Sequence, residues 1–491
     1  MLIITAVVDQ NVIVVVVDAL RADRVGAIRD QSDLTPNIDR LVQDGGVVFK
    51  NAFACINATD PSITSIHSGY EPSSTVAHHG PYVTNEEKQR AEAMTSVPEQ
   101  LQAAGVHTIG TGRPLSRWHK AGFDQYPEPT FGRNRRRAIG ERLDTLHPKL
   151  RSVAGWLYEH LSAATTTETT DEIDSLLASL NEERQFYGFV HLMDTHAPYE
   201  PCEQLVDELL ERREYPRDDL AEFFETHDEN DHVREFIKEH ATTADYEYGV
   251  GRLIAKYDAT VIEADQKIGR LIDELRQRGR YEETTLIVTS DHGESLDEHG
   301  IFFDHHGLYD ESIHVPLIIS GPETQSARRE EFVQLYDLAP TILRLFGLTA
   351  DDKIAGKALQ SLITDEGSWT DREQIVAREA HTQSRIAIRT PEWKYIKHIE
   401  DSVLERERGD SLHCGYCNCF HGSEMELYDI DEDPAERENI IEEFPNIVAE
   451  LEAKIEAYEQ SLNRPTTDTE THVAYDNESE VMERLEDLGY R

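Results

Sequence analysis

Residues 12–18 read VIVVVVD, and the fold follows from this stretch. Six β-branched residues in an unbroken run suit a strand buried on both faces, not one half exposed to water. That predicts a central parallel strand. Asp18 ends it at the carboxyl end, where open α/β sheets gather their ligands. The same plan recurs along the chain. Strands are expected over residues 47–49, 107–110, 185–191 (QFYGFVH), 285–290 (TLIVTS) and 315–320 (VPLIIS). Helices are expected between them, the longest over 257–278, where Val261, Ile262, Ile268, Leu271, Ile272 and Leu275 recur at helical spacing. Thr35 and Pro36 read as an N-cap and first helical residue, with Gly45 as the stop. This alternation predicts an α/β fold with a mostly parallel central sheet flanked by helices.

Two segments break the alternation. Residues 132–182 are polar and helical in pattern, opening on GRNRRR and passing through ATTTETT, and residues 203–250 read as acidic amphipathic helices. Both are expected as insertions covering a catalytic domain that spans residues 1–372. From residue 373 the pattern changes to short strands (QIVARE, RIAIRT, KYIKHI) and then ELYDIDEDPAERENI. A small antiparallel C-terminal subdomain over 373–465, followed by a polar tail at 466–491, is the expectation.

The 491 residues carry 48 Lys+Arg against 95 Asp+Glu, a formal charge of −47, so phosphate backbones and anionic lipid surfaces are repelled. Nucleic acid is therefore not an expected partner. Most basic residues are Arg, and this acidic, lysine-poor balance predicts a halophilic protein whose self-repulsion is screened by a salty cytosol. An ordinary acidic protein is the plainer alternative. No run of 18 apolar residues occurs, so no membrane span is expected. The opening MLIITAVVDQ lacks a basic start and breaks at Asp9, which predicts a cytoplasmic location. Five cysteines do not make a disulfide scaffold.

A second acidic strand end is Asp291-His292-Gly293, after TLIVTS. A carboxylate closing an apolar strand is costly unless paired or metal-bound. One such Asp is ordinarily a helix cap; two, with a histidine, make an oxygen-plus-imidazole set that suits a divalent cation. Thr59 lies in CINATDPSITSIHSGYEP (55–72), where a loop meets a helix that Ser68-Gly69 closes. Its hydroxyl is placed either to meet an anion at the positive end of the helix or simply to cap it. His191 is a strand-end core residue or a site residue, and Asp194 holds a loop or a histidine, or binds metal. His299 is expected to orient its loop, and His78-His79-Gly80 to form one. The cluster His413-Cys414-x-x-Cys417-x-Cys419-x-His421 has zinc-ligand spacing and predicts a separate structural zinc site, the alternative being a loop of reduced thiols.

These residues resemble the sulfatase branch of the alkaline phosphatase superfamily. Asp18-Ala19-Leu20-Arg21-Ala22-Asp23-Arg24 is similar to the first sulfatase signature, and TPNIDRLVQDGGVVFKNAFA to the helix and strand after it. Thr59-Asp60-Pro61-Ser62, ending at Ser68-Gly69, has the spacing of the family's nucleophile motif. FVHLMDTHAPY (189–199) resembles the substrate-contacting His-x-Pro segment, and SDHGESLDEHGIFFDHHGLYDESIHVPLII (290–319) is the nearest match. WKYI (393–396) and ELYDIDEDPAERENI (426–440) resemble the C-terminal subdomain, so the likeness runs in order from about residue 12 to residue 445.

The departures shape what the resemblance implies. Thr59 stands where family sulfatases carry the Cys or Ser that becomes formylglycine. Ile63 replaces the motif's Arg, Ala19 the second Asp of a metal-binding pair, and His305 a Lys. These features resemble the Thr-nucleophile, single-metal members, which include phosphodiesterases and phospho-alcohol transferases. The implied site is one divalent cation (Mn²⁺, Mg²⁺ or Ca²⁺, with Zn²⁺ possible) on Asp18, Thr59, Asp291 and His292. Thr59 would form a covalent phospho-intermediate, with His196 balancing charge and His305 or His306 protonating the leaving group. Arg21 would pair with a carboxylate near the site, and His191, His196 and His305 would contact substrate. The implied substrate is a small-molecule, glycan-linked or lipid-linked phosphate or sulfate ester. A sulfuric ester hydrolase without formylglycine and a degenerate anion-binding member are the competing readings.

Overall fold

Each face of the valine-rich run meets its own apolar layer: Ile13, Val15 and Val17 pack into one core, Val12, Val14 and Val16 into the other. Full burial of such a side chain contributes about 1.5–3 kcal/mol, so the run has strong reason to sit at mid-sheet. The computed structural model describes residues 10–30, 32–112, 117–127, 171–180, 184–216, 249–380, 383–414 and 419–462. Seven strands form the main sheet: β1 (Asn11–Val17), β2 (Val47–Phe53), β3 (His107–Thr111), β4 (Phe186–Leu192), β5 (Thr284–Thr289), β6 (Leu317–Ser320) and β7 (Ala327–Gln334). Their order is β3-β4-β1-β5-β6-β2-β7. β1 runs parallel to both β4 and β5, in a register that sets Val16 beside His191 and Thr289.

The sheet is mixed: β6 is antiparallel to β5 and β2. The connection from β5 to β6 holds only the one-turn helix Asp310–Ile313, so the chain re-enters the sheet from the end it left. β2 runs on past the predicted 47–49 because half-buried Lys50 and Asn51 interrupt its apolar pattern without breaking the strand. β7 is an edge strand beside β2 that sequence pattern did not predict; its Arg328, Arg329, Glu330 and Glu331 blunt the edge.

Helix α1 (Pro36–Gln43) has Thr35 at its N-cap, yet the Thr35 side chain makes no capping bond. Asp265 accepts the N–H groups of Asn37 and Ile38 instead. Helix α2 (Thr59–Ser68) ends at Gly69, whose φ of 74° needs glycine's freedom. The long helix α3 (Val250–Gln277) begins ahead of the predicted residue 257. Of the predicted insertions, Glu172–Ser179 and Glu203–Arg212 are helical; GRNRRR, ATTTETT, residues 217–248 and the 466–491 tail lie outside the described residues.

The C-terminal subdomain is an antiparallel sheet of β8 (Ile375–Ala380), β9 (Ser384–Arg389), β10 (Trp393–His398) and β11 (Met425–Asp429). One face packs under helix Pro445–Ser461 through Leu451 and Ile455. The other, through Ala377, Ala387 and Ile396, packs against Leu308, Tyr309 and Ile313 of the loop that follows β5.

Candidate active site

β4, β1 and β5 are neighbours in register, so His191, Asp18 and Asp291-His292 come to one end of the sheet at one level. The start of α2 adds Thr59. All five residues are buried. Thr59 is the first helical residue, with Ala58 at the N-cap and no side-chain capping bond, so its hydroxyl is not used to cap the helix. His292 Nε2 lies 3.3 Å from Thr59 Oγ1, 3.6 Å from Asp291 Oδ2 and 4.0 Å from Asp18 Oδ1. His191 Nε2 lies 3.1 Å from Asp18 Oδ2 and 3.8 Å from Asp291 Oδ2.

The surrounding bonds fix what each group presents. His292 Nδ1 is 2.8 Å from the Gly293 carbonyl, which can only accept, so Nδ1 carries the proton and Nε2 presents a lone pair. Asp291 Oδ1 accepts the N–H groups of Ala19 and His292, while its Oδ2 has no donor. Neither oxygen of Asp18 has a hydrogen-bond donor, since His191 is close but not aligned for a bond. Three bare carboxylate oxygens beside an imidazole lone pair, all out of water, are a set a cation satisfies. Burial alone would raise the Asp18 pKa; His196, His191 and His292 outweigh it and hold the carboxyl well below the usual range. Burial opposes a charge on His191, but Asp18 and Asp291 overcome it and raise its pKa.

The other expected residues divide. His305 stacks on His292 with ring centres 4.3 Å apart, and its Nδ1 lies 2.6 Å from the Asn57 carbonyl. Burial, then the charges of His292 and His306, push the His305 pKa well down. His306 turns the other way: Nε2 is 2.9 Å from Asp304 Oδ2, and Nδ1 is 3.4 Å from Cys414 Sγ. His196 is half-buried, with Nδ1 against the Ala197 carbonyl. Arg21 ties its own loop to the one after β5, donating to Asp23 at 3.0 Å, to Glu298 at 2.8 Å and to the Glu294 carbonyl at 3.1 Å. Asp194 is held by Lys267 at 2.8 Å, and the His299 ring lies flat on Tyr309 at 3.6 Å. His79, read as a loop residue, is buried 3.2 Å from Asp60.

In the Cys/His segment, Cys414 and His421 are buried beside His306, while His413 is half-buried and pairs with Asp410. Cys417 lies outside the described residues, and the Cys419 carbonyl accepts the Cys414 N–H. Two sets of described residues could thus hold a metal ion: Asp18, His191 and Asp291, and His306, Cys414 and His421.

Sequence reasoning missed the residues that brace the site. Asn57 Nδ2 donates to the carbonyls of His305 and Gly307, and Tyr257 of α3 donates to the Ala19 carbonyl at 2.7 Å. Ser290 accepts the Leu20 N–H at 2.9 Å. Asn57 stood two residues from Thr59 and could have been found there. Tyr257 reads as one more apolar helix position and gave no signal.

Residues 10–348 match the sulfatase family model, and residues 297–406 match the model for the C-terminal part of N-sulphoglucosamine sulphohydrolase. The chain belongs to the sulfatase family. It is 30% identical to arylsulfatase K of Bos taurus over 44% of this chain and 38% of that one, so it spans under two fifths of that relative's length. It is 23% identical to an arylsulfatase of Clostridium perfringens (strain 13 / Type A) over 91% of this chain and 95% of that one. Two solved structures share the fold. One, in complex with its substrate D-glucosamine-2-N,6-O-disulfate, has a TM-score of 0.64 at 20% identity and covers 92% of this chain and 97% of its own. The phosphonate monoester hydrolase of Agrobacterium radiobacter has a TM-score of 0.65 at 17% identity, covering 92% and 96%. Among the described residues, no helix is long and apolar enough to cross a membrane.

Proposed function

We propose that this chain is a metal-dependent ester hydrolase or phospho-transferase that cleaves phosphate esters, diesters above all, through a covalent Thr59 intermediate. The observation that carries the reading is the Thr59 hydroxyl, uncapped, 3.3 Å from the lone pair of His292 in a knot of bare carboxylates. Asp18, Asp291 and His292, with the Thr59 oxygen, would hold one divalent cation; Mn²⁺, Mg²⁺ or Ca²⁺ suits the oxygens, and the imidazole also admits Zn²⁺. Bound there, the cation would lower the pKa of the hydroxyl and neutralise anionic charge. Thr59 Oγ1, having given its proton to solvent, attacks phosphorus in line, the new P–O bond forming as the ester P–O bond breaks and the ester oxygen leaves. The start of α2 gives its positive dipole end to the attacked group. The departing oxygen needs a proton, and a general acid must carry one at working pH. His306 turns toward Asp304 and Cys414, so His305, stacked on His292, is placed to deliver it, and half-buried His196 to balance charge on the attacked group. Water or an acceptor alcohol then attacks phosphorus, giving its proton to the imidazole that protonated the leaving group, as the phosphorus–Thr59 bond breaks and the Thr59 oxygen regains a proton from solvent.

The nucleophile sets the preference for phosphorus. A threonine sulfate lacks the second hydroxyl by which a formylglycine hydrate expels sulfate through elimination, whereas phospho-threonine yields to in-line attack. Ala19 and Ile63, where the family carries a metal ligand and an arginine, leave less positive charge for a dianionic monoester than for a monoanionic diester. A glycan-linked ester fits the relative solved with a sulfated glucosamine. That relative and the arylsulfatases also favour the second reading, sulfate-ester hydrolysis without formylglycine. The test compares kcat/KM for a matched aryl phosphodiester and aryl sulfate with added Mn²⁺. The diester is expected to be the better substrate. A tenfold advantage for sulfate, about 1.4 kcal/mol of transition-state binding, overturns the reading.

A further inference from the structure

His306, Cys414 and His421 converge from three places: the loop after β5, the segment after helix Ser402–Arg408, and the residues just before β11. All three are buried, and their ligand atoms lie within 4.8 Å of one another. We propose that they form a second metal site, of the zinc type, which ties the C-terminal subdomain to the loop that carries His305.

Four observations support it. A thiolate with two imidazoles is a borderline-soft set that selects Zn²⁺ over Mg²⁺ or Ca²⁺, in contrast to the carboxylates at the other site. The 3.4 Å between Cys414 Sγ and His306 Nδ1 approaches the roughly 3.6 Å sulfur–nitrogen edge of a tetrahedron with Zn–S near 2.3 Å and Zn–N near 2.05 Å. His306 faces Cys414 through Nδ1, and its Nε2 lies 2.9 Å from Asp304 Oδ2, so a carboxylate stands beside the ring nitrogen that a metal on Nδ1 would leave free. Finally, the backbone around the ligands is fixed. The His421 carbonyl accepts from Arg385 at 3.0 Å, its N–H donates to Gln383, and the Cys414 N–H donates to the Cys419 carbonyl at 2.8 Å. That last bond closes the backbone around Cys414, and a water would supply a fourth ligand.

The site differs from the sequence expectation in its membership. His306, distant in sequence, takes the place of His413, and the ligands bridge two parts of the fold instead of closing one loop. Binding releases the Cys414 thiol proton to solvent, leaving a thiolate on the metal. Because His305 is the next residue to His306, the metal would brace the ring that stacks on His292. The proposal does not depend on the Thr59 chemistry.

The test uses the reduced full-length protein and Co²⁺ as a reporter, since only a thiolate-bound Co²⁺ gives a strong near-ultraviolet charge-transfer band. Co²⁺ titration of the metal-free wild type is expected to raise that band to saturation, and Zn²⁺ to displace it. Cys414→Ser should abolish the band, His421→Ala should weaken binding at least tenfold, and Thr59→Ala should leave it unchanged. Elemental analysis of protein purified with Zn²⁺ should show one zinc fewer per chain in Cys414→Ser than in wild type. A wild type that gives no band overturns the proposal without recourse to any variant. So does a band or zinc content that survives Cys414→Ser.

Discussion

Thr59 is a hydroxyl placed where a helix needs a cap but does not use it. Ala58 holds the N-cap position, and the Thr59 oxygen faces the His292 lone pair instead. If it is the nucleophile, removing the oxygen removes the covalent route altogether. Thr59→Ala should lower kcat/KM by at least about 1000-fold, because loss of a nucleophile is not compensated by the remaining groups. Thr59→Ser keeps the oxygen and should retain partial turnover, and a slow aryl phosphodiester should leave a phosphoryl adduct on the wild-type chain by intact mass. Wild-type turnover in Thr59→Ala would exclude this chemistry. Thr59, Asp18 and Asp291-His292 were legible because each stood at an element end, where a polar residue after an apolar run is conspicuous. His305 and His306 were not separable in the same way. Adjacent side chains in an extended loop point apart, and only the partners at Asn57 and Asp304 reveal which ring faces which site.

The loop from Ser290 to Pro316 does the work of an element although it contains one turn of helix. It supplies Asp291 and His292 at its start, and Gly293 locks it. The Gly293 N–H donates to the Ser312 carbonyl at 2.8 Å, and a Cβ there would sit 1.9 Å from the Glu311 carbonyl oxygen. Gly293→Ala must therefore part the two ends of the loop. A destabilisation of about 1–3 kcal/mol by denaturant unfolding is expected, with weakened metal affinity as His292 shifts. A second link is ionic: His78 lies between Glu87 and Asp401, at 2.9 and 3.1 Å. Asp401 also caps helix Ser402–Arg408, so the bridge joins the catalytic layer to the C-terminal subdomain. Burial opposes the His78 charge, but the two carboxylates outweigh it and raise its pKa to about 10, with Glu87 held to about 2. A raised histidine pKa gives stability that is complete below about 6.5 and is lost as pH climbs toward 10. His78→Ala should cost about 3 kcal/mol at neutral pH, with the gap to wild type closing toward pH 10 in thermal melts. Element types with strong periodicity, β1, β5 and α3, were readable from sequence. β6 was readable as a strand but not in its direction, which depends on the missing crossover helix; β7, whose charged edge hides its pairing, was not read at all.

Over the whole molecule, charge is the property that most exceeds ordinary limits. Carboxylates number 95 against 48 Lys and Arg, so even complete pairing leaves 47 acidic groups without a fixed cation. Salt therefore acts on two opposed terms. It weakens exposed attractive pairs such as Arg212–Asp33, each worth about 0–1 kcal/mol, and it weakens the repulsion among the surplus carboxylates. The surplus is as large as the paired population, and repulsion extends over many neighbours where a pair counts once. The second term should win. The Debye length falls from about 10 Å at 0.1 M to about 3 Å at 1 M, which passes through the spacing of surface charges on a protein this acidic. The melting temperature should accordingly rise steeply with KCl between 0.1 and 1 M and then level off as screening completes. A general salting-out effect would instead keep rising with concentration and would be much larger for sulfate than for chloride at matched ionic strength. Thermal melts in KCl and in potassium sulfate at equal ionic strength separate the two. Near-coincident curves that flatten above about 1 M support self-repulsion as the main electrostatic cost of this fold. A melting temperature that stays flat or falls over that range would mean that the attractive pairs, and not the surplus charge, set its response to salt.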